Sequence, residues 1–124
     1  MKLSLLMLIG AIVTFLFGLG FILVPVWVMS NYGVTLDVSG EFLGRYLGAS
    51  FLGISALAWL ARNAEASATR RAIVYALFLT SVLGFVVALF DVFTGVGNAL
   101  VWSTVVIYLF FAAGFGYFAF LKKD

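Results

Sequence analysis

The 124-residue chain is 65% hydrophobic and 10% charged, with 14 Phe, 13 Gly and one Pro, a composition far from that of a water-soluble domain of this size. Lys2 and Asp37 bracket 34 consecutive uncharged residues, more than a compact soluble core can hide, and so apolar a chain does not stay disordered. It carries no His and no Cys, which excludes disulfides, thiolate chemistry, imidazole-ligated haem, the usual zinc sites and the commonest general base.

A bilayer core of about 30 Å needs about 20 helical residues, so the few charges act as rulers along the chain. They predict an all-α fold, an integral membrane four-helix bundle in a single transmembrane domain over 1–124, with spans at about 3–29, 41–61, 71–90 and 98–121. The first span is longer than the core requires. Pro25 falls in its last turns, where the ring removes the donor for the Phe21 carbonyl, and a kink or early end is expected there. Lys2 followed by Leu3 to Phe17 looks like the start of a signal peptide, but the apolar run continues to Val28, the length of an uncleaved anchor. Asn31 to Gly40 joins the first two spans, with Gly33 and Gly40 as turn residues, and Thr94 to Gly97 joins the last two. A faint repeat runs through the chain: Ala11-Ile12-Val13 and Ala72-Ile73-Val74 each open a span that ends near Gly-Val, at Gly33-Val34 and Gly95-Val96.

Positively charged flanks resist translocation. Lys2, Arg62, Arg70, Arg71, Lys122 and Lys123 fall on one side of the membrane and Arg45 alone on the other, so both termini are expected in the cytoplasm. Asp37, Glu41 and Asp91 lie outside. The basic fringe, with Arg62, Arg70 and Arg71 at its centre, suits the anionic headgroups of a lipid bilayer, and no nucleic-acid partner is expected. Trp27, Tyr32, Tyr46 and Trp102 fall near the outer boundary, and Trp59, Tyr75 and Tyr117 near the inner one, as aromatic belts require. Tyr108 is the exception: at about 21 Å from the inner boundary its hydroxyl needs a partner among the helices.

Lipid tails are as apolar as Leu, so spans associate by close approach, which small residues four apart allow. Such rows are Gly10, Thr14 and Gly18 on the first span, Gly40, Gly44 and Gly48 on the second, and Ala72, Ala76, Thr80, Gly84 and Ala88 on the third. They are read as internal packing of the bundle, with oligomerisation as the alternative. The fourth span has Ala112 and Gly116 but is mostly large (Val105, Val106, Leu109, Phe110, Phe111, Phe115), and is expected to face lipid or another subunit.

Arg45 is the most informative residue, because a guanidinium inside a span is costly. It shares a helical face with Gly48, Ala49, Leu52 and Ala56, while Asp91 shares one with Thr80, Gly84 and Ala88. Helical rise puts the two at about 26 Å and about 30 Å from the cytoplasmic boundary. An interhelical Arg45–Asp91 ion pair is therefore expected at the outer mouth, with Glu41 as a second partner of Arg45; the alternative is that Asp91 ends a helix in solvent and Arg45 snorkels to the headgroups. The carboxylates lie in loops or at boundaries with no base to assist a nucleophile, and the spacing of Asp37, Glu41 and Asp91 matches no ligand motif, so neither enzyme activity, metal nor cofactor is expected. The hydroxyls of Thr14, Ser50, Ser55, Thr80 and Ser81 occupy the midplane, where such groups usually bond the carbonyl four residues earlier.

The stretch Pro25, Tyr32-Gly33, Asp37, Gly40, Arg45-Tyr46-Leu47-Gly48-Ala49, Gly53 and Trp59-Leu60-Ala61-Arg62 resembles small bacterial inner-membrane proteins with four predicted spans and no assigned function. The resemblance implies a location in the bacterial inner membrane and brings no functional residues with it. The chain is thus expected to be a non-enzymatic accessory or assembly subunit, partnered by another membrane subunit or by itself. The alternative is a small oligomeric transporter or channel for an uncharged or anionic solute, with Arg45 at its outer mouth.

Overall fold

The structure, a computed structural model, describes residues 1–122. It is all-helical, with five α-helices and no strand among the described residues: α1 Leu3–Leu23, α2 Pro25–Asn31, α3 Val38–Ala61, α4 Ala68–Phe93 and α5 Val101–Gly116, followed by a wider turn over Tyr117–Leu121. Four segments are long and apolar enough to cross a membrane, Leu3–Leu23, Val38–Ala61, Ala68–Phe93 and Val101–Leu121, of 21, 24, 26 and 21 residues. At about 1.5 Å per residue these span roughly 32 to 39 Å, against a hydrocarbon core of about 30 Å. This is the make-up of a multi-pass membrane protein. The chain divides into two compact units, Met7–Arg62 and Met1–Leu6 with Asn63–Asp124, which are described in turn.

In the unit Met7–Arg62, the long first span breaks where Pro25 requires it. The residue before a proline is pushed out of the α region, and Val24 leaves it at φ −140° and ψ 57°. Pro25 then starts α2 at its first position, where a missing N–H costs nothing. The ladder resumes at once on both sides of the break, with Val24 N–H donating to Gly20 O at 2.8 Å and Val28 N–H to Val24 O at 3.0 Å. At the end of α2, Gly33 adopts φ 73°, and the N–H groups of Gly33 and Val34 bond Ser30 O and Met29 O, both at 3.0 Å, which is a Schellman closure. Gly40, read from sequence as a turn residue, lies inside α3 instead. That helix begins at Val38 rather than at Glu41, because the Asp37 carboxylate accepts from Gly40 N–H at 2.7 Å and satisfies an orphan donor of the first turn.

Helices α1 and α3 run antiparallel with their backbones in contact. A Cβ on Gly48 would lie 2.7 Å from Gly18 O and 2.8 Å from Ile22 Cγ1, and one on Gly18 would lie 2.8 Å from Leu52 Cδ2. Further along the same seam Gly44 faces Pro25 and Phe21, and the Phe21 and Phe51 rings lie 6.1 Å apart. In the other direction Ser55 Oγ donates to Ala11 O at 2.6 Å, a buried hydrogen bond from one helix to the other.

In the second unit α4 starts behind Ser67, whose hydroxyl accepts from Arg70 N–H at 3.1 Å. This cap moves its start three residues ahead of the Arg71 boundary expected from charge. It ends past Phe90, at Phe93, by the closure that ends α2: Gly95 takes φ 77°, and Val96 N–H donates to Asp91 O at 2.9 Å. Both Gly-Val pairs of the faint repeat are therefore helix stops of one kind. Helices α4 and α5 pack antiparallel, rings into hollows left by glycine. The Tyr108 ring occupies the place a side chain on Gly84 would take, Phe78 fills the hollow at Gly116, and Leu6 the one at Gly114. The fourth span thus does not face only lipid or another subunit, as its bulk suggested. Val105, Phe111, Ala112 and Phe115 are buried, while Val106, Leu109 and Phe110 are exposed; the two helices approach closely because each offers glycine where the other, or Leu6, brings a large side chain.

Candidate functional site

Arg45 lies two turns into α3 and is exposed; Glu41, one turn earlier, is half-buried. Within its own unit Arg45 makes no hydrogen bond or ion pair, with Glu41 or otherwise. Phe42 and Tyr46 flank it, their rings in an edge-on pair at 5.0 Å. Asp91 is in the last turn of α4, half-buried, with its carbonyl held in the Schellman closure. Arg45 and Asp91 belong to different compact units.

The small residues divide by position. Gly10, Gly18 and Gly48 are buried, Gly44 and Thr14 half-buried, and Thr14 Oγ1 donates to Gly10 O at 2.7 Å. On α4 only the lower end of the row turns inward: Ala88 is buried and Gly84 receives Tyr108, whereas Ala72, Ala76 and Thr80 are exposed. The buried face of that helix runs instead through Val74, Leu77, Ser81 and Ala88. A row spaced strictly by four drifts around an α-helix, whose repeat is about 3.6 residues, so its five members cannot all stay on one face. Thr80 and Ser81 donate to the carbonyls of Ala76 and Leu77 at 2.9 and 2.8 Å, the local pattern expected of them. Ser55 departs from it by reaching Ala11, and no sequence signal marks that partner before the helix register is known.

The basic residues of the fringe do different work. Arg62 folds back on α3, its guanidinium 3.6 Å from the centre of the Trp59 ring and donating to Trp59 O at 2.6 Å. Arg70 donates to Ala64 O at 3.2 Å and so ties the start of α4 to the loop before it. Arg71 is exposed. Arg70 and Arg71 line an open groove of about 290 Å³ together with Leu3, Phe118, Phe120 and Lys122. The Lys122 ammonium stands 5.4 Å over the Phe118 ring. The wide turn brings this about: Lys122 N–H bonds Tyr117 O at 2.9 Å, five residues back instead of four. Lys123, counted with the fringe, lies outside the described residues. The groove was not legible as a site, although the pair Phe118 and Lys122, four apart, was its available signal. Among the described residues no three of His, Cys, Asp or Glu gather where they could hold a metal ion.

A family model described as "Domain of unknown function (DUF8292)" matches residues 1–121. The chain belongs to DUF8292. No curated protein and no solved structure matches it. The features of this DUF8292 chain that bear on function are therefore its own: the glycine-lined α1–α3 seam, the exposed Arg45 on α3, and the basic and aromatic groove beside the start of α4.

Proposed function

We propose that this chain is a non-enzymatic multi-pass protein of the bacterial inner membrane, with both termini cytoplasmic, that works by packing. It would act as an accessory or assembly subunit of a membrane complex or as a homo-oligomer. The observation that carries this reading is where the hydroxyls within the spans go. Thr14, Ser55, Thr80 and Ser81 donate to main-chain carbonyls, so four of the five midplane hydroxyls serve helix structure and helix contact; the fifth, Ser50, is exposed. The exposed Ala72, Ala76 and Thr80 supply an outward face flat enough for another helix to approach closely. Extraction in a mild detergent followed by size and mass analysis should give a defined oligomer or a stable partner, and Ala76→Leu should weaken it. A clean monomer at all protein concentrations would overturn the reading.

The exposed Arg45 favours a second reading, a small oligomeric transporter or channel for an uncharged or anionic solute. A guanidinium on the surface of a membrane span, unbonded within its own unit, attracts anions. Liposomes carrying the protein should then release or exchange such a solute, with Arg45→Ala changing the rate. No flux across a broad panel of solutes would remove this reading.

A further inference from the structure

The geometry points to the groove beside the start of α4 as a binding site for an anionic phospholipid, its phosphate held by Arg71 and Lys122 and its first acyl segments lying on Leu3, Phe118 and Phe120. The groove brings together the first residue of α1, the first turn of α4 and the last residues of the fourth span. These are three ends of apolar helices, and lipid phosphates lie at that level. Its cations are Arg70, Arg71 and Lys122, and no acidic residue among the described ones lines it. The planar fork of an arginine matches two phosphate oxygens, and an ammonium adds a point charge.

The apolar wall is fixed in advance of any ligand. The Phe120 ring is held by Tyr75 at 5.6 Å and by Phe78 at 5.2 Å. Phe118 lies under the Lys122 ammonium at 5.4 Å. The wide turn over Tyr117–Leu121 sets Lys122 where the helix gives out, a common way for a helix to end. Because five of the eight lining residues, Leu3, Val74, Phe118, Ala119 and Phe120, are apolar and lie at the ends of membrane-spanning helices, the occupant is a lipid and not a soluble phosphate. With a volume of about 290 Å³ the groove is at the small end of ligand sites, which suits one headgroup and the start of its chains.

The test is native mass spectrometry of the whole chain in mild detergent, titrated with phosphatidylglycerol or with phosphatidylcholine of the same acyl chains. Retention of phosphatidylglycerol should be about thirty-fold stronger, as two cations at a membrane surface provide. Arg71→Gln and Lys122→Gln should each lower this preference about five-fold, and the double variant should abolish it. Arg62→Gln, whose guanidinium is stacked on Trp59 and is not part of the groove lining, should leave it unchanged. The proposal is overturned by equal retention of both lipids, by a preference that survives the double variant, or by an equal loss in Arg62→Gln, which would mean diffuse attraction. It is overturned equally if millimolar inorganic phosphate displaces the lipid, since the site would then be one for free phosphate. The variants are exposed and at a helix end; an unchanged helical circular dichroism spectrum confirms that each is folded.

Discussion

Gly48 and Gly53 sit five residues apart on α3, and what a methyl group would meet at each could hardly differ more. At Gly48 it would lie 2.7 Å from Gly18 O, whereas at Gly53 nothing lies within 4 Å. Main chain cannot yield as a side-chain tip can, so Gly48→Ala must push α1 and α3 apart, and overpacking of this kind costs about 1–3 kcal/mol. Gly53→Ala should be neutral or stabilise by up to about 1 kcal/mol, because alanine is the better helix former. Thermal unfolding in a fixed detergent separates the two; similar midpoints would mean that the helices do not touch at Gly48. Ser55→Ala removes the hydrogen bond to Ala11, and hydrogen bonds between membrane helices average about 0.6 kcal/mol, so a small loss is expected. The small rows were legible in the sequence as a spacing of four. Their use was not, since spacing alone does not tell the buried Gly48 from the exposed Ala76. The same holds for Ser55, whose acceptor is fixed by the register of two helices and not by its neighbours in the chain.

Helix ends show a different division. Charges were good rulers for the apolar core but poor ones for helices, because a charge marks where a side chain wants water and a cap marks where the backbone needs a partner. Asp37 and Ser67 therefore set the starts of α3 and α4 three residues ahead of the expected boundaries. The signal was available as an Asp and a Ser before apolar segments. Asp37→Ala should cost about 1 kcal/mol, the usual value of an N-cap. Gly33 and Gly95 stop α2 and α4 at φ 73° and 77°, a conformation that costs other residues about 1–2 kcal/mol. Gly33→Ala and Gly95→Ala should each lower stability by about that amount in a denaturing-detergent titration, and losses near zero would mean that these closures do not form. The break at Val24 was legible from Pro25 alone. The packing of α5 was not, since a run of Val, Leu and Phe reads the same whether it meets lipid or a neighbouring helix with a hollow at Gly84.

The pattern of four apolar segments between short polar loops was legible throughout, because only length and the lack of charge are needed to write it. Which spans touch, and what they touch outside the chain, depends on shape, and shape is not carried by hydropathy. The chain's lack of cysteine makes its membrane course directly measurable. Single cysteines at Thr35, Ala66 and Ala99, all exposed and all between helices, can be probed with a membrane-impermeant maleimide on intact cells. Thr35→Cys and Ala99→Cys should label from outside, and Ala66→Cys only after the membrane is opened. Labelling of Ala66→Cys from outside, or of Thr35→Cys and Ala99→Cys on opposite sides, would contradict a four-span protein with both termini in the cytoplasm.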